Sequence, residues 1–188
     1  MTLAPNLHAA DLPNGFVPQS LASAVSEEDV REAQDKWAAG VVDIGRVYRE
    51  GEDYVARAAK HVDKLYAYDL GPVLFKPTLA TDVPFRPTAQ MALSYFVGGE
   101  IAEDRGFALK PWRSVRFGDQ RISLRGQTAL AMGLYLFTPY GTDAPTQVEF
   151  TFGYIRDAKG DLRINLHHSS MPFTPPLLQP IEGAIADG

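Results

Sequence analysis

Leu166 to Phe173 reads LHHSSMPF, two imidazoles and two hydroxyls in succession. Histidine titrates near neutrality, so it serves as general acid, general base or metal ligand, and serine supplies a hydroxyl that donates, accepts or attacks. Neighbours on an extended strand point to opposite faces, so all four cannot serve one site. In LRINLHHSS, Leu162, Ile164 and Leu166 share a face, and a period of two assigns His168 and Ser170 to that same face. Arg163, Asn165, His167 and Ser169 then look the other way. If the apolar face lines a cavity, His168 and Ser170 are the pair it receives.

A zinc centre needs three or four ligands converging at about 2 Å, which adjacent strand residues do not provide. The other histidines are His8 and His61, and their spacing does not recruit them to His168. The chain has no cysteine, so there is no thiolate site, disulfide framework or cysteine nucleophile. No bound metal is expected. Serine and histidine at i and i+2 give no base-to-nucleophile geometry by themselves, and no GxSxG elbow, phosphate loop or dinucleotide fingerprint occurs.

The chain has 188 residues, 45% of them hydrophobic, enough for one domain with a real core. A net charge of -5 without a basic run gives no footprint for nucleic acid. No apolar run of about 18 residues and no signal-like start is present, so a cytoplasmic protein without membrane association is expected. The expected organisation is a flexible N-terminal arm over 1–25, one domain over 26–176 and a tail over 177–188.

The elements that would position these side chains can be read in order. SEED at Ser26 predicts a capping box with Asp29, opening a helix whose apolar stripe is Val30, Ala33, Trp37, Val41, Ile44 and Tyr48. After Gly51, the spacing of Val55, Ala58, Val62 and Leu65 predicts a second helix to about Tyr66. FxPT occurs at Phe75–Thr78 and again at Phe85–Thr88. Thr88 reads as the N-cap of a short helix ended by Gly98 and Gly99, whereas Thr78 has no helix to cap. Beyond Trp112, SVRF, RISLRG, TALAMGLYLFT, TQVEFTFGYIRD and LRINLHHSS predict an antiparallel meander, with turns at GDQ, RGQ, PYGTDAP and DAKG. Val148, Phe150, Phe152 and Tyr154 alternate with polar neighbours, and TALAMGLYLFT is apolar on both sides, as a central strand is. Together these predict an α+β fold, a cone-shaped bent antiparallel sheet wrapped round a long N-terminal helix, with a pocket inside.

GPVLFKPT, FRPTAQMALSYFVGG, EDRGFALKPW, TALAMGLYLF, VEFTFGYIRD and LHHSSMPF together resemble the iota class of carbonic anhydrases, from about the first helix to Pro176. The resemblance implies the fold of the calcium/calmodulin-dependent protein kinase II association domain, within the SnoaL-like, nuclear-transport-factor-like cone superfamily. It implies a lyase that reversibly hydrates carbon dioxide to bicarbonate. In the metal-free branch of the class, without cofactor, a threonine, a tyrosine and a serine hold bicarbonate. By motif position these are Thr78 of FKPT, Tyr95 of LSYFVGG and Ser170 of HHSS, with His168 as the neighbouring imidazole. Some members carry three histidines before the serines; Leu166 takes the first place here, which points away from metal.

On this basis Tyr95 is expected to activate water, which requires a lowered pKa, and His168 to orient or shuttle. The plainer alternatives are that Tyr95 is core beside Met91, that Thr78 stabilises a turn and that Ser170 ends a strand. Cone folds also include small-ligand binders and oligomerisation scaffolds, so a non-enzymatic role stands as the alternative. A homodimer through the outer sheet face is the expected assembly.

Overall fold

A computed structural model describes residues 24–175. The arm and the tail therefore lie outside the described residues, apart from the arm's last two positions. Of these, Val25 is buried and its N–H donates to the Gly126 carbonyl at 2.8 Å.

Helix α1 (Glu27–Arg49) starts at the capping box. The Ser26 hydroxyl accepts from the Asp29 N–H, and the Asp29 carboxylate accepts from the Ser26 N–H. That carboxylate also meets Arg156 at 2.7 Å, tying the helix start to the sheet. A left-handed Gly51, φ 72°, separates α1 from α2 (Tyr54–Leu65), which Asp53 caps through the Ala56 N–H. A three-residue strand β1 (Leu74–Lys76) follows. Helix α3 (Ala89–Val97) has Thr88 as its N-cap and Gly98 as its C-cap. A 3₁₀ turn at Phe107–Leu109 leads into β2 (Trp112–Arg125), β3 (Thr128–Pro139), β4 (Thr146–Arg156) and β5 (Leu162–Ser170).

The sheet order is β1-β5-β4-β3-β2. The meander is antiparallel throughout, but β1 adds to its edge in parallel with β5. The sheet is thus mixed, where the alternation of the last five apolar segments predicts an antiparallel one. The expected turn at Gly118–Gln120 is instead a bulge inside one long strand, since Phe117 pairs with Tyr135 and Gln120 with Gly133. A Cβ on Gly133 would fall 2.2 Å from the Asp119 carbonyl, so only glycine lets the bent strand pass.

The concave face closes on α1. Trp37 is 1% exposed and meets the rings of Phe117, Tyr135, Phe137 and Phe152 edge-on, with centroids 5.6–6.4 Å apart. Val148, Phe150, Phe152 and Tyr154 are all buried, as their alternation predicts. On the convex face Leu130 and Met132 are exposed, so the strand that reads as apolar on both sides has its second face uncovered. Among the described residues no helix is long and apolar enough to cross a membrane.

Candidate active site

The face assignment of the histidines and serines turns on one residue. Ile164 pairs with Tyr154, but Leu166 pairs with Gly153, leaving Asn165 as an extra residue in β5. A bulge of this kind shifts every later side chain to the other face. Ile164, His167 and Ser169 are accordingly buried at 2%, 3% and 4%, while His168 and Ser170 turn to the convex side. Gly153 makes room for the bulge, because a Cβ there would lie 2.8 Å from Asn165 Oδ1 and 2.9 Å from Leu166 Cβ.

The expectation that Ser170 and His168 face the cavity is overturned on this point. Ser170 Oγ donates to the Glu149 carboxylate at 3.0 Å on the outer surface. His168 Nδ1 lies 3.2 Å from the Lys76 carbonyl, along the edge where β1 joins β5. Both border a shallow outer depression with Met132 and Glu149.

The concave face encloses a cavity of about 140 Å³ that brings together Thr78, Tyr95, Tyr135, His167 and Ser169. Trp37, Phe107, Trp112, Phe137 and Val148 form its apolar wall, and Leu79, Lys110 and Met171 also border it. Thr78 arrives just after β1 and donates from Oγ1 to Ser169 Oγ at 2.9 Å, across 91 residues of chain. Thr78 and Tyr95 thus line the cavity, as the resemblance implies.

The segment beyond Thr78 is clamped from below. Arg86 is fully buried, its guanidinium 2.6 Å from the equally buried Asp104 carboxylate and bonded to the Val83 and Phe85 carbonyls. The Arg86 N–H donates to the Phe75 carbonyl at 2.8 Å. The Glu103 carboxylate accepts from the N–H groups of Thr81, Asp82 and Val83 at 2.8–3.1 Å, which holds it below the usual carboxylate range.

Tyr135, His167 and Ser169 also line the cavity, which the sequence patterns did not predict. Tyr135 is 2% exposed and lines the same cavity as Ser169 and Thr78. Burial pushes its phenol above the ordinary tyrosine value, only partly opposed by those two hydroxyls. The available signal was its spacing in TALAMGLYLFT, two residues from Phe137 on the same face. Burial likewise raises the Tyr95 phenol, and the Leu79 N–H only partly opposes it. The lowered pKa that a tyrosine base needs is therefore absent.

His167 is held between rings, stacked on Phe75 at 4.6 Å and 9° and edge-on to Phe152 at 4.2 Å and 89°. Its imidazolium is disfavoured first by burial, then by His168 and His61 nearby. Its Nδ1 is 2.8 Å from the Tyr66 hydroxyl, and its Nε2 is buried with no hydrogen-bond partner among the described residues. Among the described residues, no three His, Asp or Glu side chains converge as a metal would require. The cavity accordingly presents neutral hydroxyls and a neutral imidazole against an apolar wall, a set suited to a small apolar molecule that becomes an oxyanion.

Helices packed into a bent sheet round such a cavity make the cone fold of the nuclear-transport-factor-like superfamily. A member of that superfamily from Salmonella enterica shares the fold, with a TM-score of 0.55 at 13% identity over 81% of this chain and 94% of its own. A model of the metal-independent carbonic anhydrase family matches residues 28–171, and the chain belongs to that family. The metal-independent carbonic anhydrase of Nostoc sp. (strain PCC 7120 / SAG 25.82 / UTEX 2576) is 42% identical over 155 residues, which are 80% of this chain and 75% of the relative. The crystal structure of the iota-carbonic anhydrase from a cyanobacterium, complexed with bicarbonate, superposes with a TM-score of 0.78 at 37% identity, covering 87% of this chain and all of the other. Membership favours the enzyme over the binder or scaffold.

Proposed function

We propose that the cavity hydrates carbon dioxide to bicarbonate with neutral groups alone, and that Ser169 and His167 take the parts expected of Ser170 and His168. The observation that carries this is the bonded hydroxyl pair of Thr78 and Ser169, with the Tyr135 side chain lining the same cavity, set against an apolar wall. Carbon dioxide has no charge or dipole to hold, so the aromatic wall is its natural contact. A water accepts from and donates to the hydroxyls, which aims its lone pair at the carbon.

Proton transfer follows from the neutrality of the site. Tyr95 and Tyr135 are held as phenols and His167 as imidazole, so no strong base stands at the carbon. The water oxygen bonds to carbon while its proton passes to one hydroxyl, which hands its own proton to a carbon dioxide oxygen. One C–O bond forms, one C=O π bond becomes O–H, and the hydroxyl is regenerated. The product is carbonic acid, which ionises as it meets water near Lys110. Donors at Tyr95 and His167 Nε2 stabilise the negative charge growing on oxygen, as in other preorganised oxyanion sites.

Stopped-flow hydration of carbon dioxide by the chelated protein, with metal content measured on the same sample, tests this. Activity without metal is expected; activity that appears only when zinc or manganese is added would refute it.

A cytoplasmic homodimer completes the proposal. The exposed Leu130 and Met132 on the convex face, beside His168 and Ser170, suit a second copy of the same face. Sedimentation of the wild type and of Met132→Lys tests it: a dimer that the charge converts to monomer is expected, and a wild-type monomer would refute it.

A further inference from the structure

Tyr66 stands behind His167, outside the cavity, with no part in the chemistry above. Its hydroxyl lies 3.0 Å from Trp37 Nε1 and 2.8 Å from His167 Nδ1. The three side chains are 1–3% exposed, and Tyr66 does not line the cavity, so these two neighbours are the partners of its hydroxyl. An indole N–H can only donate. The Tyr66 oxygen therefore accepts from Trp37, and its single hydrogen points to its remaining neighbour, His167 Nδ1. A neutral imidazole that accepts at Nδ1 carries its hydrogen on Nε2.

The opposite tautomer fits poorly. With a hydrogen on Nδ1, the Tyr66 oxygen would receive two donors and its own hydrogen would be left in the core without an acceptor. Nor can the ring turn over to exchange its nitrogens without disturbing Phe75 and Phe152, which grip it face and edge. The Tyr66 backbone is equally fixed. Its carbonyl accepts from Arg163 at 2.7 Å, and the next N–H, of Ala67, donates to Ile164 at 2.9 Å. Nδ1 is thus taken from behind, and Nε2, buried and without a partner among the described residues, is the nitrogen left for a guest in the cavity that His167 lines.

We infer that Tyr66, itself oriented by Trp37, is a positioning residue that locks His167 as the Nε2–H tautomer, making it a hydrogen-bond donor to a substrate oxygen instead of a general base. The identity of the guest rests on the proposed function; the tautomer does not. Donor and base predict opposite behaviour, because a base would need the Nε2 lone pair that this arrangement fills.

The experiment is long-range ¹H–¹⁵N correlation NMR on histidine-labelled protein, with the His167 signals identified by their loss in His167→Gln. The wild type is expected to show hydrogen on Nε2, and bicarbonate titration should shift that proton. Tyr66→Phe keeps the ring and removes the hydroxyl. It should release a population with hydrogen on Nδ1 and lower kcat for carbon dioxide hydration by about 10- to 100-fold, the usual cost of losing an orienting partner. Hydrogen on Nδ1 in the wild type would overturn the inference, as would a Tyr66→Phe protein that loses activity with its tautomer unchanged. If Tyr66→Phe does not fold, the wild-type spectrum and its bicarbonate titration decide alone, an unmoved Nε2–H proton counting against. An inactive wild type with hydrogen on Nε2 would uphold the tautomer and refute the proposed function.

Discussion

Replacing Ser169 and, separately, Ser170 with alanine separates the two faces of β5. Ser169 is buried, and its Oγ accepts from Thr78 at 2.9 Å. Its removal breaks that bond and leaves the half-buried Thr78 hydroxyl without its acceptor, so the stability cost is about 1–2 kcal/mol. For a chain of this size that lowers the melting temperature by roughly 2–8 °C. The catalytic cost is larger, because a preorganised donor at the reacting oxygens is worth about 10²–10³ in kcat. Among the described residues Ser170 Oγ bonds the Glu149 carboxylate at the outer surface, so its loss should stay within about 0.5 kcal/mol and leave kcat within about twofold. Stopped-flow carbon dioxide hydration and thermal melting on the same preparations measure both quantities. Loss of activity in Ser170→Ala with retention in Ser169→Ala would refute the bulge-based assignment.

The pH dependence has a sign set by the same burial. Burial depresses the His167 imidazolium and raises the Tyr95 and Tyr135 phenols, so all three stay neutral from about pH 6 to 9 and kcat should be flat there. Activity should fall only below that window, as His167 charges, or above the ordinary phenol range; a sigmoid centred near 7, in buffers that do not limit turnover, would refute the neutral mechanism. Gly153→Ala should push against Asn165 Oδ1 and Leu166, costing about 1–3 kcal/mol and lowering kcat through Ser169; unchanged melting and kcat would show that the bulge tolerates a side chain. Arg86→Met should leave the buried Asp104 carboxylate without its guanidinium, about 3–5 kcal/mol, and lower the melting temperature on the order of 10 °C; a fall under about 2 °C would refute the clamp.

Local patterns carried most of the fold. The Ser26 capping box, the Thr88 cap, the Gly51 break and the alternation in β4 each involve residues within a few positions of one another, and each took its expected form. Thr78 and Tyr95 were placed in the cavity by likeness, since neither spacing nor composition marks them. The wrong face for the serines came from extending a period of two through Asn165, whose bulge depends on a glycine in the neighbouring strand and leaves no trace within LRINLHHSS. Strand β1 escaped notice because three residues are too few for a pattern and its partner is remote in sequence. Tyr135 was hidden by its apolar company, and the raised Tyr95 phenol is a property of burial, which only the packed molecule reveals.

The parallel pairing of β1 with β5 also bears on how activity is regained after denaturation. Hairpins β2–β3, β3–β4 and β4–β5 close over short turns, whereas the contact between Thr78 and Ser169 closes a loop of 91 residues. Long loops are entropically costly to close and slow to reward, so this edge is the natural last step of folding. A refolding chain should thus quench and bury Trp37 early, with catalysis returning only when β1 docks. In that sense turnover is a clock for the final stitch of the sheet, and a compact but inactive species should accumulate before it.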